Sequence, residues 1–193
     1  TLLGVYNGEN IVLLKNFVGE GEVLIHFNDV GESSLEEDKE MYQYSYDDIQ
    51  KMLQDNKKLT NVEETVSRFW DMFVIDALNG NFDRHGGNWG FLKKENKYTL
   101  APIFDNGLSL FNFAMDDDIA NLAEYAKTRS SSYGVPFENI VKEFITERQK
   151  AKLRKMIDFK FKRNKSSGYN WSAKRLKAIE TFLQLRVAKL LEY

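Results

Sequence analysis

The run from Asn81 to Asp105 reads NFDRHGGNWGFLKKENKYTLAPIFD. Asp83, Arg84, His85, Asn88 and Asp105 gather here with Gly86, Gly87 and Gly90, directly after a strongly apolar helical stretch. A hydrophobic core needs none of these polar groups, so their clustering requires a chemical explanation. Trp89 to Lys93 and Tyr98 to Ile103 are expected to pair as a hairpin through Lys94-Glu95-Asn96-Lys97, which would bring Asn88 and Asp105 together at its open end.

The spacing carries the reading. Asn88 follows Asp83 by five positions and Asp105 follows Asn88 by seventeen, with the hairpin between. In protein kinases a catalytic-loop Asp accepts the proton of the substrate hydroxyl, an Asn five positions on binds Mg²⁺, and a further Asp holds the metals. Mg²⁺ is a hard cation that takes oxygen ligands and keeps room for phosphate oxygens, so one carboxylate and one amide oxygen suit it. Taken singly, each residue has a plainer reading: Asp83 can make a turn, Asn88 can cap a strand, and Gly86-Gly87 can be a bend. Their joint spacing, followed by a proline-containing strand, favours the chemical one.

The letters resemble two related kinase branches. Asp83-Arg84-His85-x-x-Asn88 is similar to the DRHxxN loop of the phosphatidylinositol kinases. The wider pattern is an apolar helix, NxDxHxxNxG, a hairpin, and then Leu100-Ala101-Pro102-Ile103-Phe104-Asp105 with Asn106-Gly107-Leu108-Ser109. It more closely resembles the HipA-like serine/threonine kinases over roughly residues 60 to 115. The resemblance implies an α+β protein-kinase-like fold, mostly the helical C-terminal lobe with a catalytic β-hairpin and a short N-terminal remnant of the small sheet lobe. It makes Asp83 the catalytic base, and Asn88 and Asp105 the Mg²⁺ ligands beside ATP. His85 joins the catalytic set as a group that orients the loop, through Asp105 or a backbone carbonyl, in preference to exchanging protons with substrate. Arg84 is expected to pair with a phosphate or a neighbouring acid.

Upstream, Thr60-x-x-Glu63 reads as a helix start, and Val62, Val66, Phe69, Trp70, Phe73, Val74, Ala77 and Leu78 form a wide apolar face ending at Asn79-Gly80. That aromatic stripe is core, and the helix delivers the catalytic loop. Ser45-x-x-Asp48 opens an earlier helix reaching Asn56, and Glu36 to Asp38 belong to a solvated acidic stretch between Ser33 and Met41. Val23 to Phe27 read as a short strand or turn, with His26 given no chemical duty. Residues 1 to 17 read as a hairpin turning at Asn7-Gly8-Glu9-Asn10. Two strands alone are not a stable sheet. Because the chain also opens at Thr1, it reads as part of a longer protein, with residues 1–17 the end of an N-terminal lobe and hinge and 18–193 the helical lobe. No G-x-G-x-x-G or Walker-type loop is present. In the HipA-like pattern the phosphate loop and its lysine lie upstream, so Leu14 to Phe17 are placed at the hinge. Lys15 and Phe17 are the expected nucleotide contacts there.

Downstream, Asp116 to Lys127 read as a short helix, and Lys127 to Gly134 as a polar surface loop, with a substrate-binding or activation loop the lesser alternative. Helices are expected from Pro136, from Thr146 to Phe159, and from Ser172 to Glu192, with a basic loop at Lys160 to Tyr169. With 42% hydrophobic and 29% charged residues, the 193-residue chain has the composition of an ordinary globular domain. A net charge of −2 argues against nucleic-acid binding through bulk charge. No cysteine is present, which excludes disulfides, thiolate catalysis and Cys-ligated zinc and is compatible with a cytoplasmic setting. No apolar run approaches the roughly 18 residues of a membrane span. The expected partner is a protein with a Ser or Thr hydroxyl, and the HipA resemblance adds an antitoxin-like protein. A phosphatidylinositol or small-molecule kinase, a partner-binding pseudokinase and, less well matched by the spacing, a metal-dependent nuclease are the alternatives.

Overall fold

A computed structural model describes residues 2–30, 45–162 and 171–193. The acidic stretch expected at 33–41 and residues 163–169 of the basic loop expected at 160–169 lie outside the described residues.

The chain opens with an antiparallel ribbon, β1 (Leu2–Tyr6) and β2 (Glu9–Leu13). Its turn places Asn7 and Gly8 at φ 52° and 80°, the paired left-handed conformation of a tight hairpin, which Asn-Gly tolerates best. Neither strand pairs elsewhere among the described residues. An extended link through Phe17 leads to β3 (Glu22–His26) and a single helical turn, α1 (Phe27–Val30).

Two helices follow. α2 (Tyr46–Asp55) starts with a reciprocal cap between Ser45 and Asp48. α3 (Val62–Asn79) is capped by Asn61, whose side chain accepts from the Glu64 amide, one residue later than the expected Thr60 start. Thr60 is committed elsewhere: its amide and hydroxyl both donate to the Tyr98 carbonyl.

β4 (Gly90–Lys94) and β5 (Lys97–Leu100) form the expected hairpin, with Lys94 opposite Lys97 and Glu95 at φ 53° in the turn. The second strand ends at Leu100, short of the expected Ile103. The Ala101 amide still reaches Gly90, but Pro102 has no N–H with which to continue. β3 adds to the hairpin as a third antiparallel strand, in the order β3-β4-β5.

The acidic helix expected from Asp116 divides at Asn121 into α4 (Asp116–Ala120) and α5 (Leu122–Lys127). Pro136 caps α6 (Phe137–Phe144) from the position just before its first turn. α7 (Glu147–Leu153) tightens into a 3₁₀ turn at Arg154–Met156, and α8 (Ala173–Leu191) closes the chain.

α3 is the axis of the core. Phe69 packs on Trp89, which stacks on Phe27 with ring centroids 4.2 Å apart, and Trp70 stacks on Phe144 at 4.0 Å. All five residues are buried or packed against the main cluster. Burying side chains of this size contributes about 1.5–3 kcal/mol each. A second cluster joins Phe111, Ile119 and Leu122 to Ile179, Phe182 and Leu183 of α8.

Candidate active site

α3 ends at Gly80, where φ is 71° and a Cβ would lie 2.7 Å from the Phe111 ring. Only glycine meets both conditions without displacement. The chain then turns sharply, and Asn81, fully buried, returns its side-chain amide to Asp76 Oδ1 at 3.0 Å.

Asp76 is itself a fully buried acid on the inward face of an apolar helix. Burial pushes its carboxyl above the usual carboxylate range, against the downward pull of bonds from Arg84 and Asn81. Arg84 meets it with two donors, Nε at 2.9 Å and Nη2 at 3.0 Å. The rest of the guanidinium reaches outward. Nη1 donates to the carbonyls of Asn88 and Phe104, and Nη2 to Asn106 Oδ1. A planar fork of five donors can satisfy partners on several sides at once, which a lysine cannot. Asn88 lies just before β4 and Phe104 beyond β5, so this one side chain clamps both open ends of the hairpin.

Asp83 and Asn88 are joined directly. The Asn88 amide nitrogen donates to the Asp83 carbonyl at 2.8 Å and to its carboxylate at 3.2 Å. With Nδ2 so committed, Oδ1 is the atom of Asn88 left to ligate. The Asp83 side chain remains 41% exposed, open to an incoming hydroxyl. Asp105 is exposed and takes φ 49°, and it makes no hydrogen bond or ion pair among the described residues. A left-handed, unpaired aspartate at the end of a clamped hairpin is the kind of strained position found where backbone geometry serves a site.

His85 does not meet Asp105. It is 56% exposed, its Nδ1 accepts from the Gly87 amide at 3.1 Å, and its Nε2 lies 3.9 Å from Asp83. The Phe17 ring stacks on Phe104 with centroids 5.8 Å apart, which brings the link after β2 against the residue preceding Asp105. Lys15 is exposed in that link and makes no ion pair or hydrogen bond among the described residues.

Donor chemistry sets what could be held here. Oδ1 of Asn88 and the Asp105 carboxylate are hard oxygens, and among the described residues no three His, Cys, Asp or Glu gather as a metal site. Such sparse protein ligation fits Mg²⁺, which keeps waters and phosphate oxygens in its shell, and does not fit zinc.

Three residues of the arrangement were not assigned from sequence. Asp76 follows Phe73 by three positions and so falls on the apolar face of α3, where a lone acid signals a buried partner. Asn106 carried no signal beyond its adjacency to Asp105. His26, expected to have no duty, bonds through Nδ1 to the Gly87 carbonyl at 2.6 Å. Sixty-one residues separate the two, a distance that periodicity cannot bridge.

A model of the HipA-like C-terminal domain family matches residues 13–165. The serine/threonine-protein kinase CtkA of Helicobacter pylori strain J99 is 39% identical over 118 residues, 60% of this chain and 36% of that protein. The chain therefore spans about a third of the length of that relative. A crystal structure of a proinflammatory kinase CtkA of Helicobacter pylori superposes with a TM-score of 0.73 over 99% of this chain and 76% of that one, at 23% identity, which shows a common fold.

Proposed function

The chain belongs to the HipA-like C-terminal domain family, and from that premise we propose that it carries the phosphoryl-transfer centre of an ATP- and Mg²⁺-dependent kinase acting on Ser or Thr hydroxyls of a protein. The observation that carries this reading is the Arg84 clamp. By holding the carbonyls of Asn88 and Phe104, it ties the loop of Asp83 and Asn88 to the segment of Asp105.

Asp83 is the base. Asn88 holds one side of its carboxylate, and the exposed remainder orients the acceptor hydroxyl and takes its proton as the oxygen attacks phosphorus. Asn88 Oδ1 and the Asp105 carboxylate would hold Mg²⁺. When bound, the metal neutralises charge developing on the transferred phosphoryl group and its leaving oxygen. Phe17 and Lys15 would contact the nucleotide from the link between the ribbon and the helical part. On this reading residues 1–17 belong to an N-terminal lobe and hinge, and 18–193 to the helical lobe. His85 orders the Asp83 loop by accepting from the Gly87 amide. Among the described residues no helix is long and apolar enough to cross a membrane, and the Cys-free composition accords with a reducing cytoplasm.

Transfer of labelled γ-phosphate to a generic protein acceptor tests the base. Asp83→Ala should lower kcat by about 10²–10⁴-fold without shifting the thermal midpoint. Full activity in that variant would remove Asp83 from the role. Transfer to phosphoinositide vesicles in place of protein would redirect the substrate class.

A further inference from the structure

We propose that His26 is a positioning residue for this centre, fixing the backbone immediately before each of the two proposed metal ligands. The inference rests on the phosphotransferase reading. Its Nδ1 bonds the carbonyl of Gly87, the residue before Asn88. Its ring meets Phe104, the residue before Asp105, edge-on at 80° with centroids 5.8 Å apart.

The strand that carries His26 is seated against the loop more closely than side chains ordinarily permit. His26 pairs with Gly90, where a Cβ would stand 2.2 Å from the Ile25 carbonyl oxygen and 2.9 Å from His26 Cα. Beyond it the Phe27 amide donates to the Trp89 carbonyl and the Asn28 amide to that of Gly86. At Gly86 a Cβ would stand 2.0 Å from Asn28 Oδ1. Residues 26–28 thus lie along 86–90, and His26 supplies the side-chain bond within that contact.

A carbonyl oxygen only accepts, so Nδ1 must carry the hydrogen. Gly87 needs this restraint. Asn88 is fixed through its own carbonyl by Arg84 and through its side-chain amide by Asp83, whereas Gly87, a residue of wide intrinsic backbone freedom, is otherwise held by a side chain, among the described residues, only where its amide donates to the exposed His85. Losing such an outer partner of a ligand typically costs 10–100-fold in metal affinity or activity. A histidine serving only as packing would be replaceable by phenylalanine, which keeps a ring against Phe104. One serving as donor would be replaceable by asparagine, whose Nδ2 occupies the place of Nδ1.

The test compares His26→Ala, His26→Phe and His26→Asn with the unaltered protein and with Asp105→Ala. Two quantities are read: amide hydrogen exchange over residues 85–89 without ligand, and affinity for Mn²⁺ with a non-hydrolysable ATP analogue. The alanine and phenylalanine variants should exchange faster over 85–89 and bind Mn²⁺-nucleotide about 10–100-fold more weakly, with asparagine restoring both. Wild-type behaviour in His26→Phe, with asparagine as defective as alanine, would reduce His26 to packing and overturn the proposal. Wild-type behaviour in His26→Ala, while Asp105→Ala abolishes binding, would overturn it and leave the transfer centre standing. Absence of Mn²⁺-nucleotide binding in the unaltered protein, or binding indifferent to Asp105→Ala, would remove the transfer centre and the role of His26 with it.

Discussion

The two hairpins of this chain are built alike and placed oppositely. Each has an antiparallel pair of short strands closed by a two-residue turn with a left-handed residue, Asn7 in one and Glu95 in the other. In β4–β5, Phe91 is fully buried and Tyr98 and Leu100 nearly so, with β3 alongside and α3 beneath. In β1–β2, Leu2 and Val5 are each 68% exposed, and Leu3, Val12 and Leu13 are also open to solvent. Turn chemistry and strand pairing are local and therefore common to both. Burial and a clamp across the open ends come from residues beyond the hairpin, above all Arg84, which is anchored on Asp76 and reaches Phe104 twenty residues away.

Breaking the clamp should have the largest effect. Arg84→Ala leaves Asp76 buried without its counter-charge and frees the Asn88 and Phe104 carbonyls, a loss expected at about 3–5 kcal/mol in chemical denaturation. A loss below about 1 kcal/mol would show that the hairpin holds without it.

Next is the close seat of β3. Gly90→Ala forces a methyl group onto the Ile25 carbonyl and should cost about 1–3 kcal/mol, whereas Gly4→Ala in the exposed ribbon meets only Ile11 at 3.6 Å and should cost little. Equal losses in urea unfolding would erase the contrast between the hairpins.

A smaller effect belongs to Asp71, the more exposed acid of the same helix that buries Asp76. Burial raises its carboxyl pKa, but hydrogen bonds from Arg148 and Gln149 prevail and hold it below the usual carboxylate range. A depressed folded pKa contributes stability above the unfolded value of about 3.9 and loses it as pH falls through the folded value. Solvent screening keeps the pair small, so Asp71→Asn should cost about 0.5 kcal/mol at pH 7 and progressively less as the pH falls, seen as converging thermal midpoints on acidification. Divergence at low pH would reverse the sign. Smallest of all, Val5→Lys on the ribbon should shift stability by no more than about 0.5 kcal/mol, and a larger loss would show that the ribbon is packed in solution.

Much of this architecture was legible because its causes are short-range. The Ser45–Asp48 cap, the apolar face of α3, the Asn-Gly turn and the hairpin that carries Asn88 toward Asp105 each follow from neighbouring letters. The proposed site residues were legible as spacing. What held them was not. Arg84 could be read as a phosphate partner or an acid's partner, and only burial of Asp76 decides between them. Thr60 looked like a cap until Tyr98, thirty-eight residues away, took its hydroxyl. His26 could acquire a role only through the pairing of β3 with β4, which brings residues 26 and 87 together across a separation that no local pattern encodes.

The most direct test of the central claim is calorimetric titration of ATP into the full-length protein, with and without Mg²⁺, beside Asp105→Ala. Asp105 is exposed and makes no hydrogen bond or ion pair among the described residues, so its loss should leave the fold intact while removing a ligand. The account predicts Mg²⁺-dependent binding that Asp105→Ala abolishes. Binding indifferent to Mg²⁺, or retained in full by Asp105→Ala, would contradict it.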